Sequence, residues 1–281
     1  MVVGLLMLAG GAAAGVFGSL LGLGGGVLIV PLLTLGFGLD LRTAVGVSLV
    51  SVIMTSSAAA GVYLERHVAN LRLGMTLELF TATGALVGGL VAFAVDERLL
   101  SFLFAVLLAY VAITMARPRP AGDAADPTDE VSAVPPGPEY DGPPGRAASV
   151  LEGLSGEDYA VRNLGRGVVG STGAGIVSAL LGVGGGIIKV PLMHLAMGVP
   201  LRVATATSNL MIGITAAASA VIYLFHGEID PYVAGPTAIG VFVGATIGSR
   251  IAHRVDVRIL QLLFVVVLSY TALQMFLRAI G

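Results

Sequence analysis

A lysine lies in the middle of an apolar stretch, where a positive charge is unexpected. Lys189 falls within residues 187–199, in which the other ionisable residue is His194. Ionisable side chains inside membrane segments are costly and are usually functional. The ammonium group could bind an anion or carry a proton, and the alternative is a lysine that extends to the membrane interface. Lys189, His194 and Glu78, which lies in another apolar segment, are the candidates for proton coupling.

Two glycine clusters interrupt apolar stretches that would otherwise continue as helix. Each consecutive glycine costs a helix about 1 kcal/mol, and a break is tolerated in a membrane where the backbone faces protein or a wet cavity. The break leaves free N–H groups at the start of the following segment, and these groups favour an anion. The alternative is close helix packing through small residues. The candidate substrate-binding glycines are Gly24, Gly25, Gly26, Gly184, Gly185 and Gly186.

Polar side chains near the start of two further apolar segments are also candidates for a binding site. Ser48, Ser208 and Asn209 lie about two helical turns into these segments. Their hydroxyl and amide groups could line a pore or bond within their own helices. Arg42 and Arg202 begin the segments and could attract anions to the mouth of a cavity, or lie at the interface as ordinary arginines. We include all five among the predicted substrate-binding residues.

The composition indicates a protein whose surface faces lipid. Hydrophobic residues make up 56% of the chain and charged residues 11%, and the mean hydropathy is +0.94, whereas soluble domains carry about 25% charged residues. The chain has no cysteine, which excludes disulfides and thiolate metal sites. No H-E-x-x-H, G-x-S-x-G or GxxxxGK[ST] motif occurs. We therefore predict an all-α integral membrane protein that is no enzyme, with no cofactor, no metal site and no nucleic-acid partner.

Ten apolar segments form two sets of five, separated by a stretch rich in proline and acidic residues. A helix needs roughly 20 residues to cross a bilayer, and the second segment of each set is shorter than this. Each second segment is therefore predicted to be a short, broken or re-entrant helix. The predicted units are a membrane repeat at 1–116, a disordered linker at 117–164 and a membrane repeat at 165–281. The segments are about 2–21, 27–39, 43–64, 73–95, 99–116, 165–182, 187–199, 203–225, 232–252 and 257–280.

The two sets are copies of one unit. The glycine-rich residues 22–26 and 182–186 match at an offset of 160 positions, and the same offset aligns later pairs without a gap. A shared apolar composition would not keep charged and aromatic residues in one register, so the pattern indicates a duplication. Among the aligned pairs are Pro31 with Pro191, Arg42 with Arg202, Ser48 with Ser208, Tyr63 with Tyr223 and Asp96 with Asp256.

Loop charges predict that the copies are inverted. The loop after the third segment carries Arg66 and Arg72 in the first copy and no Lys or Arg in the second, whereas the loop after the fourth segment has more arginines in the second copy. Because basic residues favour the cytoplasmic side, this reversal places the linker in the cytoplasm and both termini outside. A parallel repeat with four spans in each half is the competing arrangement.

The glycine-rich motif continues in both copies into Val-Pro-Leu. It reads GVFGSLLGLGGGVLIVPL from Gly15 and GIVSALLGVGGGIIKVPL from Gly175. These residues resemble the duplicated motif of the TauE/SafE sulfite exporter family, and the similarity covers both halves without the linker. The resemblance implies a secondary transporter in the cell membrane that exports a small sulfur-containing anion, such as sulfite or an organosulfonate.

These observations together predict a secondary transporter with an anion bound between the two repeats. Its partners are a small anionic substrate, the lipid bilayer and a coupling proton, and assembly into a homo-oligomer is left open. The alternatives are a carrier for a carboxylate or a metal ion, and a membrane scaffold or enzyme without transport. A cation cargo calls for carboxylates inside the membrane segments, where Glu78 is nearly alone.

Overall fold

Within each repeat, the described residues form helices that follow one another after short connections. The computed structural model describes residues 2–20, 25–65, 69–116, 154–155, 161–251 and 257–280, with their side chains except at 59–65, 202, 249–251 and 257–261. The helices of the first repeat are α1 (Val2–Leu20), α2 (Gly26–Gly36), α3 (Leu41–Glu65), α4 (Leu71–Ala94) and α5 (Glu97–Ala116). Those of the second repeat are α6 (Leu164–Leu181), α7 (Gly186–Ala196), α8 (Leu201–Phe225), α9 (Pro231–Ile251) and α10 (Val257–Ile280).

Eight of these helices are long and apolar enough to cross a membrane, while α2 and α7 are shorter apolar helices. Large apolar side chains cover the outside, for example Leu79 on α4 and Tyr232 on α9, which are 68% and 88% exposed. An extended apolar surface of this kind fits contact with lipid. The all-α membrane fold predicted from the composition is confirmed, and the predicted segments agree with the helices to within three residues at each end.

The two short helices change geometry at a proline. Their α-helical turns run over Gly26–Pro31 and Gly186–Pro191, and π-helical turns follow at Leu32–Gly36 and Leu192–Ala196. Proline has no N–H group to complete the bond to the carbonyl four residues back, so the wider turn begins there. Each repeat therefore contains the short second helix that its sequence predicts.

The two repeats are intertwined, because the first helix of each packs on the fourth helix of the other. α1 packs on α9 and α6 packs on α4. Glycines bring the backbones together at these contacts. A methyl group on Gly15 would collide with the Val241 carbonyl of α9, and one on Gly175 with the Thr81 carbonyl of α4. The other contacts follow the same symmetry. The contact of α3 with α9 corresponds to that of α4 with α8, and the contacts of α3 with α8 and of α5 with α10 each join two equivalent helices.

The direction of α8 relative to α4 follows from residues that face each other at both ends. A methyl group on Gly74, near the start of α4, would contact the Thr207 side chain near the start of α8. Phe93, near the end of α4, stacks on His226, which follows the end of α8, with ring centres 3.8 Å apart. The two helices are therefore parallel. Because a short connection joins α3 to α4, α8 runs opposite to α3, its counterpart in the first repeat.

A second pair of equivalent helices has the same relation. Phe102 lies near the start of α5, and its ring contacts that of Phe276, near the end of α10, with centres 6.2 Å apart. A parallel repeat would instead bring Phe102 near the start of α10. Equivalent helices with opposite directions are the arrangement that inverted repeats produce. These contacts favour the inverted topology.

Asn70 ties the start of α4 to the end of the segment between the repeats. Its side-chain oxygen accepts a hydrogen bond from the Leu73 N–H at 3.0 Å, which caps the helix, and its Nδ2 donates to the Leu154 carbonyl at 2.8 Å. Leu154 and Val161 are buried in an apolar cluster with Leu73. The end of the predicted linker thus packs against the repeats. The rest of that prediction concerns 117–153 and 156–160, which lie outside the described residues.

Asn70→Ala is expected to lower the free energy of unfolding by about 1–2 kcal/mol, because it removes both the helix cap and the bond to Leu154. Asn70→Asp is the matched control, since it keeps the capping oxygen and loses the Nδ2 donor. Thermal unfolding in detergent, followed by circular dichroism, measures both. Equal losses in the two variants would show that the cap contributes nothing.

Candidate functional site

A buried ion pair joins the two repeats. The Lys189 ammonium group of α7 lies 2.8 Å from Glu78 Oε2 of α4, and it donates a second hydrogen bond to Thr215 Oγ1 of α8 at 2.7 Å. The Thr215 hydroxyl donates to the other oxygen of Glu78 at 2.6 Å. The side chains of Lys189 and Glu78 are 1% and 6% exposed. We call these three side chains the polar centre.

Three helices converge on the polar centre. Since α4 and α8 are parallel neighbours, Glu78, about two turns into α4, faces Thr215, about four turns into α8. Helical side chains lean toward the N-terminus, which carries the ammonium group of Lys189 back toward the start of α7. Taking charges out of water costs several kcal/mol for each ion. The pair is tolerated because each charge is hydrogen-bonded to the other and to Thr215.

The equivalent place on the other side of the pseudo-symmetric fold has no such centre. Ile29 and Ala238 are buried apolar residues there, and the Thr55 hydroxyl bonds the Val52 carbonyl of its own helix at 3.0 Å. The fold therefore carries one charged pair where its symmetry would allow two. The repeat counterparts of Glu78, Lys189 and Thr215 are Ala238, Ile29 and Thr55.

The two glycine-rich breaks meet at Ser48 of α3. The Ser48 hydroxyl donates to the Gly182 carbonyl at 2.7 Å and lies 3.3 Å from the Gly26 carbonyl oxygen, so it bridges the breaks of both repeats. In the second break, Gly184 and Gly185 have φ angles of 79° and 71°, a region in which other residues are strained. The starts of α2 and α7 therefore lie close together. The hydroxyl hydrogen of Ser48 is used in the bond to the Gly182 carbonyl. The predicted hydrogen bond between Ser48 and an anion stays a prediction.

Two buried hydroxyl groups beside the start of α7 have no hydrogen-bond partner among the described residues. They are Ser178 Oγ of α6 and Ser208 Oγ of α8, on residues that are 0% exposed. A methyl group on Gly185 would lie 3.7 Å from Ser178 Oγ, and one on Gly186 would lie 3.6 Å from Ser208 Oγ. An unpaired buried polar group costs about 1–3 kcal/mol. The first turn of α7 adds N–H groups that have no partner within the helix. A small anion could accept bonds from all of these donors.

Arg42 is held by the backbone at the end of α4. Its Nη2 donates to the Val95 carbonyl at 2.8 Å, and its guanidinium group lies 5.6 Å from the centre of the Phe93 ring. Phe93 also stacks on His226 and contacts Tyr223. Arg42 therefore belongs to a packed aromatic cluster. Its predicted role in attracting anions stays a prediction.

The remaining predicted residues lie away from the polar centre or outside the described residues. The half-buried Asn209 on α8 accepts a hydrogen bond at its backbone carbonyl from Ser56 Oγ at 2.6 Å. His194 Nδ1 lies 3.0 Å from the Val199 carbonyl oxygen, in the turn that follows α7. The roles predicted for both stay predictions. Not described are Gly24 and the side chain of Arg202.

Thr215 and Ser178 were not among the residues predicted from the sequence. A signal for Ser178 was present, because its repeat counterpart is Gly18, so this position is polar in one copy only. The same comparison marks Lys189. It gives no signal for Thr215, whose counterpart is also a threonine, Thr55. The role of Thr215 follows only from its position between the two charges.

Nearly the whole chain matches one protein family. The sequence profile of the sulfite exporter TauE/SafE family matches residues 7–275. The chain belongs to the sulfite exporter TauE/SafE family. The probable membrane transporter protein YunE of Bacillus subtilis (strain 168) is 24% identical to it over 276 residues, which are 94% of each chain. No solved structure matches this TauE/SafE chain.

Two further relatives are also named as probable membrane transporter proteins. The probable membrane transporter protein MJ0441 of Methanocaldococcus jannaschii is 25% identical over 287 residues, 97% of this chain and 95% of its own. The probable membrane transporter protein MamO of Paramagnetospirillum magneticum is 26% identical over 301 residues, 98% of this chain and 44% of its own. Family membership and these relatives identify a membrane transporter rather than an enzyme. With eight candidate spans, this TauE/SafE protein is a multi-pass integral membrane protein.

Proposed function

We propose that this TauE/SafE transporter is a secondary transporter of a small sulfur oxyanion, either sulfite or an organosulfonate, and that it exports this anion. The family description supports the cargo class and the direction. The observation that carries the binding site is the pair of buried hydroxyls without partners among the described residues, Ser178 and Ser208, at the glycine-rich start of α7. The anion binds there, between the two repeats, with Lys189 about one helical turn further along.

The donors at this place suit an oxyanion, which offers several acceptor oxygens. Ser178 and Ser208 each supply one O–H group, and the start of α7 supplies backbone N–H groups. Lys189 supplies the positive charge. Its ammonium group has three N–H donors, of which Glu78 and Thr215 engage two. Full contact between the anion and this charge requires the anion to take the place of the Glu78 carboxylate.

The topology belongs to the same proposal. The opposite directions of α5 and α10 and the distribution of loop arginines support inverted repeats, with the linker in the cytoplasm and both termini outside. α2 and α7 then lead from the centre of the membrane toward opposite faces. An anion held at the start of α7 lies where either face could open to it, which is the usual design of alternating access.

The proposed cargo is tested by the thermal stability of the purified protein in detergent against sulfite, sulfate, thiosulfate, sulfoacetate, taurine, acetate and chloride. A ligand that binds only the folded state stabilises it by about 2.7 kcal/mol at a hundredfold excess over Kd. We expect the apparent unfolding temperature to rise with a sulfur oxyanion and to stay unchanged with chloride. Stabilisation by acetate alone would favour a carboxylate carrier instead. If no anion of the panel raises the unfolding temperature, the anion proposal is wrong.

Ser178→Ala and Ser208→Ala are expected to leave the apparent unfolding temperature unchanged or slightly raised without ligand, because each removes an unpaired buried hydroxyl. Each variant should lower the affinity for the stabilising anion about tenfold, which is equivalent to about 1.4 kcal/mol of binding free energy. Ser57→Ala is the matched control, because its exposed hydroxyl bonds the Ile53 carbonyl of its own helix. Titration of the anion against unfolding temperature measures all three. Full anion affinity in both site variants would remove the start of α7 from the binding site.

A further inference from the structure

We infer that the cargo anion and one proton occupy the centre of this transporter together, with the proton on Glu78, so that a monoanion crosses the membrane without net charge. This inference rests on the proposed function and names the coupling ion. It is carried by the geometry of the ion pair, by the burial of both partners and by the single occurrence of the pair in a duplicated fold.

An entering anion changes the net charge of the polar centre. Among the described side chains, the buried charged residues are Glu78 and Lys189, and together they carry no net charge. A monoanion that enters this centre makes the net charge negative, in surroundings that are buried and largely apolar. Buried charges without a partner are strongly disfavoured. A proton that arrives with the anion restores neutrality.

A carboxylate oxygen of Glu78 is the atom that accepts the proton. The Lys189 ammonium group is already charged, and the Thr215 hydroxyl already accepts a hydrogen bond from it. The Glu78 carboxylate is the group that has to release Lys189 when the anion binds. Protonation makes this carboxyl neutral, so it no longer competes with the anion for the ammonium group. The neutral carboxyl can still accept the hydrogen bond that Thr215 donates.

The step balances without any oxidant or reductant. A proton from water on the side of entry bonds to a Glu78 oxygen, and the Lys189 ammonium group keeps its three protons. Lys189 exchanges its hydrogen bond to the carboxylate for one to the anion. On the far side the anion leaves, the proton returns to water and the ion pair forms again. Each cycle moves one proton and one monoanion in the same direction.

Other titratable groups on the surrounding helices are placed elsewhere. Arg72 of α4 and Arg166 of α6 are exposed. His194 lies 3.0 Å from a backbone carbonyl in the turn after α7, and the Tyr223 hydroxyl donates to a backbone carbonyl of α6 at 3.0 Å. The side chain of Arg202 lies outside the described residues. Among the described groups, Glu78 is therefore the acid in contact with Lys189.

With this coupling, the gradients of the anion and of the proton across the membrane set the direction of transport. An outward gradient of the anion carries protons outward with it, so export proceeds while the internal excess of anion exceeds the opposing pH gradient. Because no net charge moves, the membrane potential does not enter this balance. Electroneutral export is therefore compatible with a cell interior that is negative.

The experiment uses the full chain in proteoliposomes, with labelled methanesulfonate as the probe, because this anion keeps a single charge at all the pH values used. A pH-sensitive dye inside the vesicles reports protons, and valinomycin with potassium sets the membrane potential. We expect one proton to enter with each anion. An inward gradient of one pH unit should produce about tenfold accumulation. The imposed potential should change the initial rate of uptake less than about twofold. If the potential acted on the transported charge with 1.4 kcal/mol, the effect would be about tenfold.

Glu78→Gln separates coupling from transport. This variant keeps a polar side chain beside Thr215 and cannot take up the proton. We expect exchange of methanesulfonate across the membrane to continue at a reduced rate, accumulation driven by the pH gradient to disappear, and net uptake to depend on the potential. Ser57→Ala is the control and should keep coupled uptake, whereas His194→Gln tests another residue that was predicted for proton coupling. Size-exclusion chromatography and unfolding temperature establish that each variant is folded, and Glu78→Asp, which can still carry a proton, should retain coupling if Glu78→Gln fails to fold.

The outcomes distinguish the two proposals. Methanesulfonate entry without protons in the wild-type protein overturns the coupling and leaves anion transport in place. Proton movement that persists in Glu78→Gln, or that is lost in His194→Gln alone, overturns the role of Glu78. If methanesulfonate neither enters the vesicles nor stabilises the purified protein, the coupling inference for sulfonates is wrong. If every sulfur oxyanion of the stability panel is also without effect, the proposed cargo class is wrong too.

Discussion

Lys189→Met is expected to destabilise the transporter by about 3–5 kcal/mol, the typical cost of breaking a buried ion pair by removing one partner. The variant leaves the Glu78 carboxylate 6% exposed, with Thr215 as its remaining neighbour from the polar centre. It should also abolish the stabilising effect of the cargo anion, because the positive charge of the site is gone. Circular dichroism during thermal unfolding in detergent measures both effects.

The double variant Lys189→Met/Glu78→Leu is the control for this prediction. Replacement of a buried ion pair by apolar side chains of similar volume is often neutral or stabilising. The double variant should therefore recover most of the unfolding temperature while its response to the anion remains absent. Recovery of stability together with recovery of anion binding would show that the pair does not belong to the site. An unfolding temperature for Lys189→Met equal to that of the wild-type protein would contradict the buried pair itself.

Gly175→Ala is expected to destabilise the transporter by about 1–3 kcal/mol or more, because it overpacks a helix contact. A methyl group at this position would collide with the Thr81 carbonyl and the Ala85 nitrogen of α4. Backbone atoms cannot rotate away as the end of a side chain does, so α4 and α6 have to separate. Glu78 lies on α4 three positions before Thr81, and the displacement should also reduce anion transport. Unfolding temperature and uptake into proteoliposomes measure the two effects.

Gly173→Ala is the matched control on the same helix. A methyl group on Gly173 meets no atom within 4 Å. Alanine is favoured over glycine inside a helix by about 1 kcal/mol, so this variant should be neutral or slightly stabilised and should transport normally. If Gly173→Ala were destabilised as much as Gly175→Ala, helix propensity or lipid contact would be decisive, and the close approach of α4 and α6 would not be.

The intertwined packing bears on how such a transporter could change conformation. α1 rests on α9 and α6 rests on α4, so each repeat packs extensively on the other. Glu78 belongs to the first repeat, whereas Lys189 and Thr215 belong to the second. The polar centre therefore links helices that contribute to both halves. In the proposed cycle, the anion takes the place of the Glu78 carboxylate and so weakens this link, which gives a physical route from cargo binding to movement of the helices.

Most of the fold could be predicted from the sequence, because the features that specify it are local. An apolar stretch of about 20 residues has to be a helix in a membrane, since no other single segment satisfies its own backbone there. The predicted segments therefore coincide with the helices to within three residues. The glycine clusters and the prolines at 31 and 191 likewise predict short second helices, because both residue types act on their own turn of backbone.

The sequence also indicated which residues could be functional, although not what they contact. Lys189 was identifiable because a charge in an apolar stretch requires compensation. Its partner was not, because Glu78 lies 111 positions earlier in the chain, and no local pattern connects the two. Glu78 was predicted only as a separate candidate for proton coupling. Whether Arg42 faces an open cavity could not be predicted either, and its contacts with Val95 and Phe93 depend on the end of another helix.

By itself, the sequence determined the membrane class, the duplication and the position of each helix, because hydrophobicity, repeat register and helix breaks are properties of neighbouring residues. Only the tertiary structure decided that Glu78, Lys189 and Thr215 meet, that Ser48 bridges both glycine-rich breaks, and that Ser178 lacks a described partner. The physical reason is that helix pairing arises from the shapes of whole surfaces. Glycines allow the close contacts between α4 and α6 and between α1 and α9, and this packing brings polar residues that are distant in the sequence together inside the protein.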